Sequence, residues 1–276
     1  MSAPIATDAS TLVLGRPRPG RRIVLTAVLV AAVAASIAAV DVSGGVLHPG
    51  GAAALGALLQ AAVTPEVSAA FLSRTVLPAT ALTVAYAVAA LTVAVAVGIP
   101  GALVASGVLA HRRLWRGVTA GPVRAALGFL RSIDELIWAL LFVNVLGLHP
   151  LAGVLGIGLP YGATIGRVLA ERFQDVPEEP LAALRGAGAS EAQVLLYGRL
   201  PSALADMTSY VLYRFECAVR AAAVLSFVGL GGVGLELTVL LADLEFRRVW
   251  TLLYALVVVI VAVDALGGRL RARLLR

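Results

Sequence analysis

No lysine occurs anywhere in this 276-residue chain. A phosphate-binding P-loop needs a lysine to reach the β- and γ-phosphates, so the chain cannot supply its own ATPase. A single cysteine, Cys217, rules out an intrachain disulfide, and a small apolar filler role suits it. The three histidines, His48, His111 and His149, lie far apart and share no ligand spacing, so no metal site is expected. Charged residues make up only 14% of the chain, about half the share of a soluble domain. No cofactor or catalytic residue is implied.

What fills the space is apolar. Such residues are 60% of the chain and the mean hydropathy is +0.94. A soluble fold of this length cannot hide that much apolar surface, so lipid must solvate much of it. The basic excess, a net charge of +6, could signal nucleic acid. The arginines instead sit in short stretches between apolar runs, which is the membrane pattern and excludes a nucleic-acid partner.

Six spans are predicted, at about 23–42, 76–108, 120–146, 151–171, 203–228 and 248–267. Residues 1–22 read as a cytoplasmic tail, and 43–74 as an extracytoplasmic segment broken by Gly44, Gly45, Pro49 and Pro65. A signal peptide competes for the first run, whose basic start and small residues near Ala38 fit that template. Its long apolar core argues for a retained span. Pro100 predicts a kink or tilt in the second span. With the N-terminus inside, 15 of the 22 arginines fall in cytoplasmic segments, three (Arg74, Arg247 and Arg248) fall outside, and four lie within spans. The positive-inside rule thus places both termini, including residues 271–276, in the cytoplasm of a bacterial inner membrane. No internal repeat is visible, which weighs against repeat-built secondary transporters.

The polar stretch 172–201 carries the clearest local signals. Acidic residues and Pro180 open a short helix running to Ala187. Gly188 follows where a left-handed residue closes a helix. Ser190 with Gln193 is a capping-box pattern that starts a second helix, ending near Leu200 before Pro201. The result is a helix–bend–helix hairpin lined by small residues, able to enter a groove on another protein or to pack on its own bundle.

Ala183, Gly188 and the Leu200-Pro201 pair resemble the coupling-loop signature of bacterial ABC-importer permeases. That signature has an acidic residue and two alanines, a glycine four residues on, and Leu-Pro twelve beyond it. Here Ala182 takes the acidic position, Leu184 the second alanine, and Gly198 the place of a usual isoleucine. The stretches around 213–220 and 229–237 are similar to the phosphonate-uptake branch of those permeases. So is 131–140, where that branch usually has proline in place of Asp134. The resemblance covers about 75–270. It implies an all-α polytopic bundle of six transmembrane helices with a cytoplasmic coupling hairpin. It implies coupling through Ala182, Ala183, Leu184, Gly188, Ala189, Ser190, Leu200 and Pro201. The implied partners are an ABC ATPase pair, an extracytoplasmic substrate-binding protein and a second permease copy. The implied cargo is a phosphonate or related phosphorus oxyanion; the rival is a secondary transporter or channel for a small anion without an ATPase.

Two polar stripes cross the predicted spans. Arg131, Asp134, Glu135 and Trp138 fall at helical spacing, as do Tyr213, Glu216 and Arg220, with Arg214 pointing elsewhere. Each charge facing lipid costs about 2.5–3.5 kcal/mol, so these faces must meet protein or water. They are either structural ion pairs, Arg131 with Asp134 or Glu135 and Arg220 with Glu216, or the lining of a translocation path. Arg167 with Glu171 forms a third pair. The run Gly229 to Gly234 matches a dinucleotide fingerprint, but no strand precedes it, so a tight turn is expected. An intramembrane hydrolase would need a nucleophile and base at one depth; Ser226 and His149 have no supporting motif.

Overall fold

The computed structural model describes residues 19–39, 50–108 and 113–274. The chain divides at residue 56 into two compact units. In the first, α1 (Pro19–Ala39) is apolar from Ile23 onward. The end of the first predicted span, 40–42, lies outside the described residues, as do most of the N-terminal tail and residues 43–49.

Helix α2 (Gly51–Val63) leads into the second unit. There follow α3 (Ala69–Ser106), α4 (Arg113–Ser132), α5 (Glu135–Leu146), α6 (Pro150–Gln174), α7 (Glu178–Gly186), α8 (Glu191–Val228), α9 (Val233–Ala242) and α10 (Phe246–Leu274). The described residues contain no strand. By length and composition, α3, α6 and α10 can each cross a membrane, and α8 with α9 forms a fourth candidate bent by 46°. The all-α membrane class is as expected; among the described residues these criteria give up to four spans rather than six.

Small residues set the core. Gly158, Gly162 and Gly166 form a stripe on α6, facing Ala90, Ala94 and Gly98 on α3. A Cβ at Gly162 would lie 3.0 Å from the Ala94 carbonyl oxygen, and one at Gly98 would lie 2.9 Å from the Gly162 carbonyl oxygen. Backbones this close gain dispersion contact that larger side chains would prevent, the usual solution where lipid removes the hydrophobic drive between helices. Helix α3 runs on through Pro100 to Ser106.

Residues 229–232 make the expected tight turn, with Gly229, Gly231 and Gly232 all at positive φ. Tyr86 on α3 donates to the Leu230 carbonyl at 2.7 Å, and the Val233 amide donates to Thr83 Oγ1 at 3.0 Å. These bonds pin the turn to α3.

Three expectations need correction. The second span begins earlier, because Ser68 caps a helix that starts at Ala69 and passes through a π-turn at Leu72–Val76. The segment 43–74, read as broken, contains the helix α2. The third span is not one helix. It breaks at Ile133 and Asp134, where the Asp134 carboxylate accepts from the Leu136 amide at 2.9 Å and caps α5. An aspartate that bonds its own backbone competes with helix continuation and starts a new helix instead.

Candidate functional site

At one end of the bundle stands the hairpin. Helix α7 begins with Glu178 and Glu179 in its first turn, where carboxylates complement the exposed amides. Gly188 sits at φ +87° with open space where a Cβ would be, so conformation rather than crowding demands glycine. The Ala189 amide bonds back to the Leu184 carbonyl at 3.1 Å, closing the turn. Ser190 then caps α8 with both bonds of the capping box present.

The second hairpin helix does not end near Leu200. It continues through a π-turn at Leu195–Arg199 into the long helix α8. Pro201 has no amide hydrogen and would disturb an α-helical turn behind it. The wider turn, with the Leu200 amide bonded to the Leu195 carbonyl, absorbs that defect without a break. The second hairpin helix and the transmembrane helix are therefore one continuous helix.

Four charged residues, which the sequence reading did not pair, stiffen it. Arg185 grips Glu191 with Nε at 2.9 Å and Nη2 at 3.2 Å, and Glu178 with Nη1 at 2.9 Å. Arg199, only 6% exposed, joins Glu178 at 2.7 Å and donates to the Phe173 carbonyl at the end of α6. Hydrogen bonds from Arg185 and Arg199 hold the Glu178 carboxyl below the usual carboxylate range. Glu191 and Glu178 raise the Arg185 guanidinium further still. The spacing of Arg185 to Glu191 was a usable signal; the Arg199 contacts, across 21 and 26 residues, were not.

Outward, the bend presents Ala182, Ala183, Gly186, Ala187 and Gly188, all exposed, while Ala189 is half-buried, Ser190 exposed, Leu200 half-buried and Pro201 exposed. Leu184 turns inward. A Cβ at Gly198 would lie 3.0 Å from Leu184 Cδ1 and 2.7 Å from Leu181 Cδ2. A large residue at 184 and none at 198 thus fill one space from opposite sides. Gly198→Ile alone should destabilise the hairpin by about 1–3 kcal/mol through overpacking. Adding Leu184→Ala should recover part of that loss, with a coupling of about 0.5–3 kcal/mol in a thermal-unfolding double-mutant cycle. Strict additivity would refute the exchange.

The second locus is the break between α4 and α5. Arg131 closes α4, Asp134 caps α5 and Glu135 opens it, so these residues and Trp138 do not share one helix face. Neither proposed partner pairs with Arg131 among the described residues. Glu135 instead accepts from Tyr161 Oη at 3.4 Å. Trp138 Nε1 donates to the Leu130 carbonyl at 3.0 Å, stapling α5 to α4 across the break.

On α8 the pairing also differs from expectation. Glu216 meets Arg271 of α10 at 3.0 Å rather than Arg220. Arg220 donates instead to the Cys217 sulfur, at 3.6 Å. Arg214 stacks on Tyr161 and Tyr210, 5.2 and 5.5 Å from their ring centres, and Tyr213 lies half-exposed beside Tyr210. Arg167 and Glu171 do pair, at 3.0 Å.

These elements line a half-open cavity of about 400 Å³. Asp134, Glu135, Tyr161, Cys217 and Arg220 line it, so the structure brings together members of both predicted stripes. Tyr161 and Cys217 were not anticipated there. Tyr161 lies eleven residues along the 25-residue α6, about 16 Å from its start, close to the middle of a membrane-long helix. No metal-binding group of His, Cys, Asp or Glu occurs among the described residues.

Residues 98–276 match the family model for the binding-protein-dependent transport system inner membrane component. The chain is 35% identical over 176 residues to the phosphite transport system permease protein PtxC of Stutzerimonas stutzeri, covering 64% of each. It is 32% identical over 197 residues to the phosphate-import permease protein PhnE of Mycolicibacterium smegmatis, covering 71% of this chain and 36% of that one. The chain thus spans less than two thirds of the length of either relative. Among solved structures, the inward-facing MetNI methionine ABC transporter shares the fold at a TM-score of 0.66, with 18% identity over 76% of this chain and all of that chain.

Proposed function

Because the chain belongs to the family of binding-protein-dependent transport system inner membrane components, we propose that it is the permease subunit of an ATP-driven importer. The exposed small-residue bend around Gly188, which leads directly into α8, carries this reading. An element that moves as one body transmits force into the bundle without dissipating it in a joint.

The arginine asymmetry supports a cytoplasmic position for both termini and for the hairpin, whose residues 182–201 would meet an ABC ATPase pair. The turn at 229–232 then faces outward, towards a substrate-binding protein. A second copy of the chain completes the path, and ATP hydrolysis resides in the partner subunits. The cargo is a small phosphorus oxyanion, in keeping with the names of the relatives. The cavity at the α4–α5 break lies on its route. Irregular backbone and unpaired charge at membrane depth persist only where protein or water surrounds them.

Expression with a candidate ATPase and binding protein, in cells lacking other phosphorus-anion uptake, tests the proposal. Uptake should require all three chains and collapse when the ATPase is inactivated. Undiminished uptake without any ATPase would instead identify a secondary transporter or channel.

A further inference from the structure

A second half-open cavity, of about 540 Å³, lies between the hairpin and the end of the bundle. Arg124 of α4, Gln174 at the end of α6, Glu178 and Arg185 of α7, and Glu191 and Arg199 of α8 line it. Three guanidiniums thus share the cavity with two carboxylates. Glu191 is held by Arg185 through two hydrogen bonds. Glu178 is divided between Arg185 at 2.9 Å and Arg199 at 2.7 Å. The last pair is unequally placed: the Arg199 side chain is 7% exposed and the Glu178 side chain 65%. The buried cation is fixed, whereas the exposed carboxylate can turn into water at little cost. Arg199 is also under-satisfied, because its buried Nε has no acceptor among the described residues. Arg124 gives its Nε hydrogen to the Ala105 carbonyl at 2.8 Å, and no ion pair reaches it among the described residues.

We propose that this cavity binds a free phosphorus oxyanion, which takes the place of Glu178 between Arg185 and Arg199 while Arg124 adds positive charge. With Glu178 turned out, three guanidiniums face one carboxylate. A tetrahedral oxyanion presents acceptors to more than one planar donor fork at once. A phosphate dianion also carries one more negative charge than the carboxylate it displaces. Glu178 stands in the first turn of α7, so its release unties α7 from Arg199 of α8. On the permease reading, on which this consequence rests, cargo already delivered to the hairpin side would loosen the hairpin and slow further uptake.

Isothermal titration of inorganic phosphate into the full chain, in a phosphate-free maltoside detergent at constant ionic strength, tests the site without any ATPase. Glu178→Gln removes the charge of the internal rival and should tighten phosphate binding about tenfold, while Arg124→Gln should weaken it about tenfold. A carboxylate that only braced the hairpin would give no tighter anion binding when neutralised. No binding to either the native chain or Glu178→Gln, weaker binding in Glu178→Gln, or an affinity unchanged in both variants overturns the proposal. Titration of dihexanoyl phosphatidylglycerol separates a lipid headgroup from the free anion, and a response to the lipid alone overturns it too. In the assembled transporter, phosphate enclosed on the hairpin side should slow uptake more in Glu178→Gln than in the native chain, and equal slowing would remove the regulatory consequence. Uptake that needed no ATPase would count against the permease reading and leave the titration result standing.

Discussion

Ala183→Glu is expected to cut ligand-dependent uptake and ligand-stimulated ATP hydrolysis by about 30-fold or more, while the chain still inserts and folds. Ala183 is exposed on the hairpin. Within the chain the change is a surface substitution, worth about 0.5 kcal/mol or less. At a close-packed interface with an ATPase it forces an unpaired charge into contact, at a cost of about 2 kcal/mol or more. Gly188→Asp should lose coupling too, but it mixes two causes. Its residue must hold φ +87°, which costs an L-residue about 1–2 kcal/mol before any partner is met. Ala183→Glu is therefore the cleaner variant. ATPase copurification, uptake and membrane abundance measured together separate lost coupling from lost folding; normal uptake at normal abundance would show that the bend touches no partner.

Arg271→Ala should destabilise the bundle by about 1–3 kcal/mol, the cost of leaving a half-buried carboxylate without its partner. The Glu216 side chain is 11% exposed, lies 3.0 Å from Arg271 and reaches α10 where a Cβ at Gly267 would sit 2.6 Å from its Oε1. Without Arg271 no ion pair reaches that carboxylate among the described residues, since the Arg220 guanidinium donates to Cys217 instead. Thermal unfolding in detergent should show the loss, and Glu216→Gln added to Arg271→Ala should restore much of it. If Arg220→Ala proved as damaging as Arg271→Ala, the pairing seen here would be wrong.

The contrast between these residues shows what the sequence could reveal. The hairpin was legible because its signals are local: a glycine at the bend, and Ser190 and Gln193 three residues apart. The continuity of the hairpin with α8 was not, because Pro201 reads as a helix start, and only the π-turn lets the helix pass it. The break at Ile133 and Asp134 hid inside an apolar run, where Asp134 counted as one more charge on a stripe rather than as a cap. Glu216 had a cation four residues away in Arg220, so pairing by spacing chose the wrong arginine; the true partner lies 55 residues further on. The glycines at 158, 162 and 166, which mark the α3–α6 contact, went unread although they lie four residues apart. The exchange of bulk between Leu184 and Gly198 appeared as two departures from a family pattern, and only their contact makes them one adjustment.

The most direct test places a photo-crosslinking residue at position 187, on the exposed side of the bend, in cells making the whole assembly. A single adduct between this chain and the ATP-hydrolysing subunit, its yield changing when nucleotide is trapped, is the result expected. Adducts confined to this chain's own helices, or labelling of position 187 by a membrane-impermeant reagent added outside intact spheroplasts, would contradict the account.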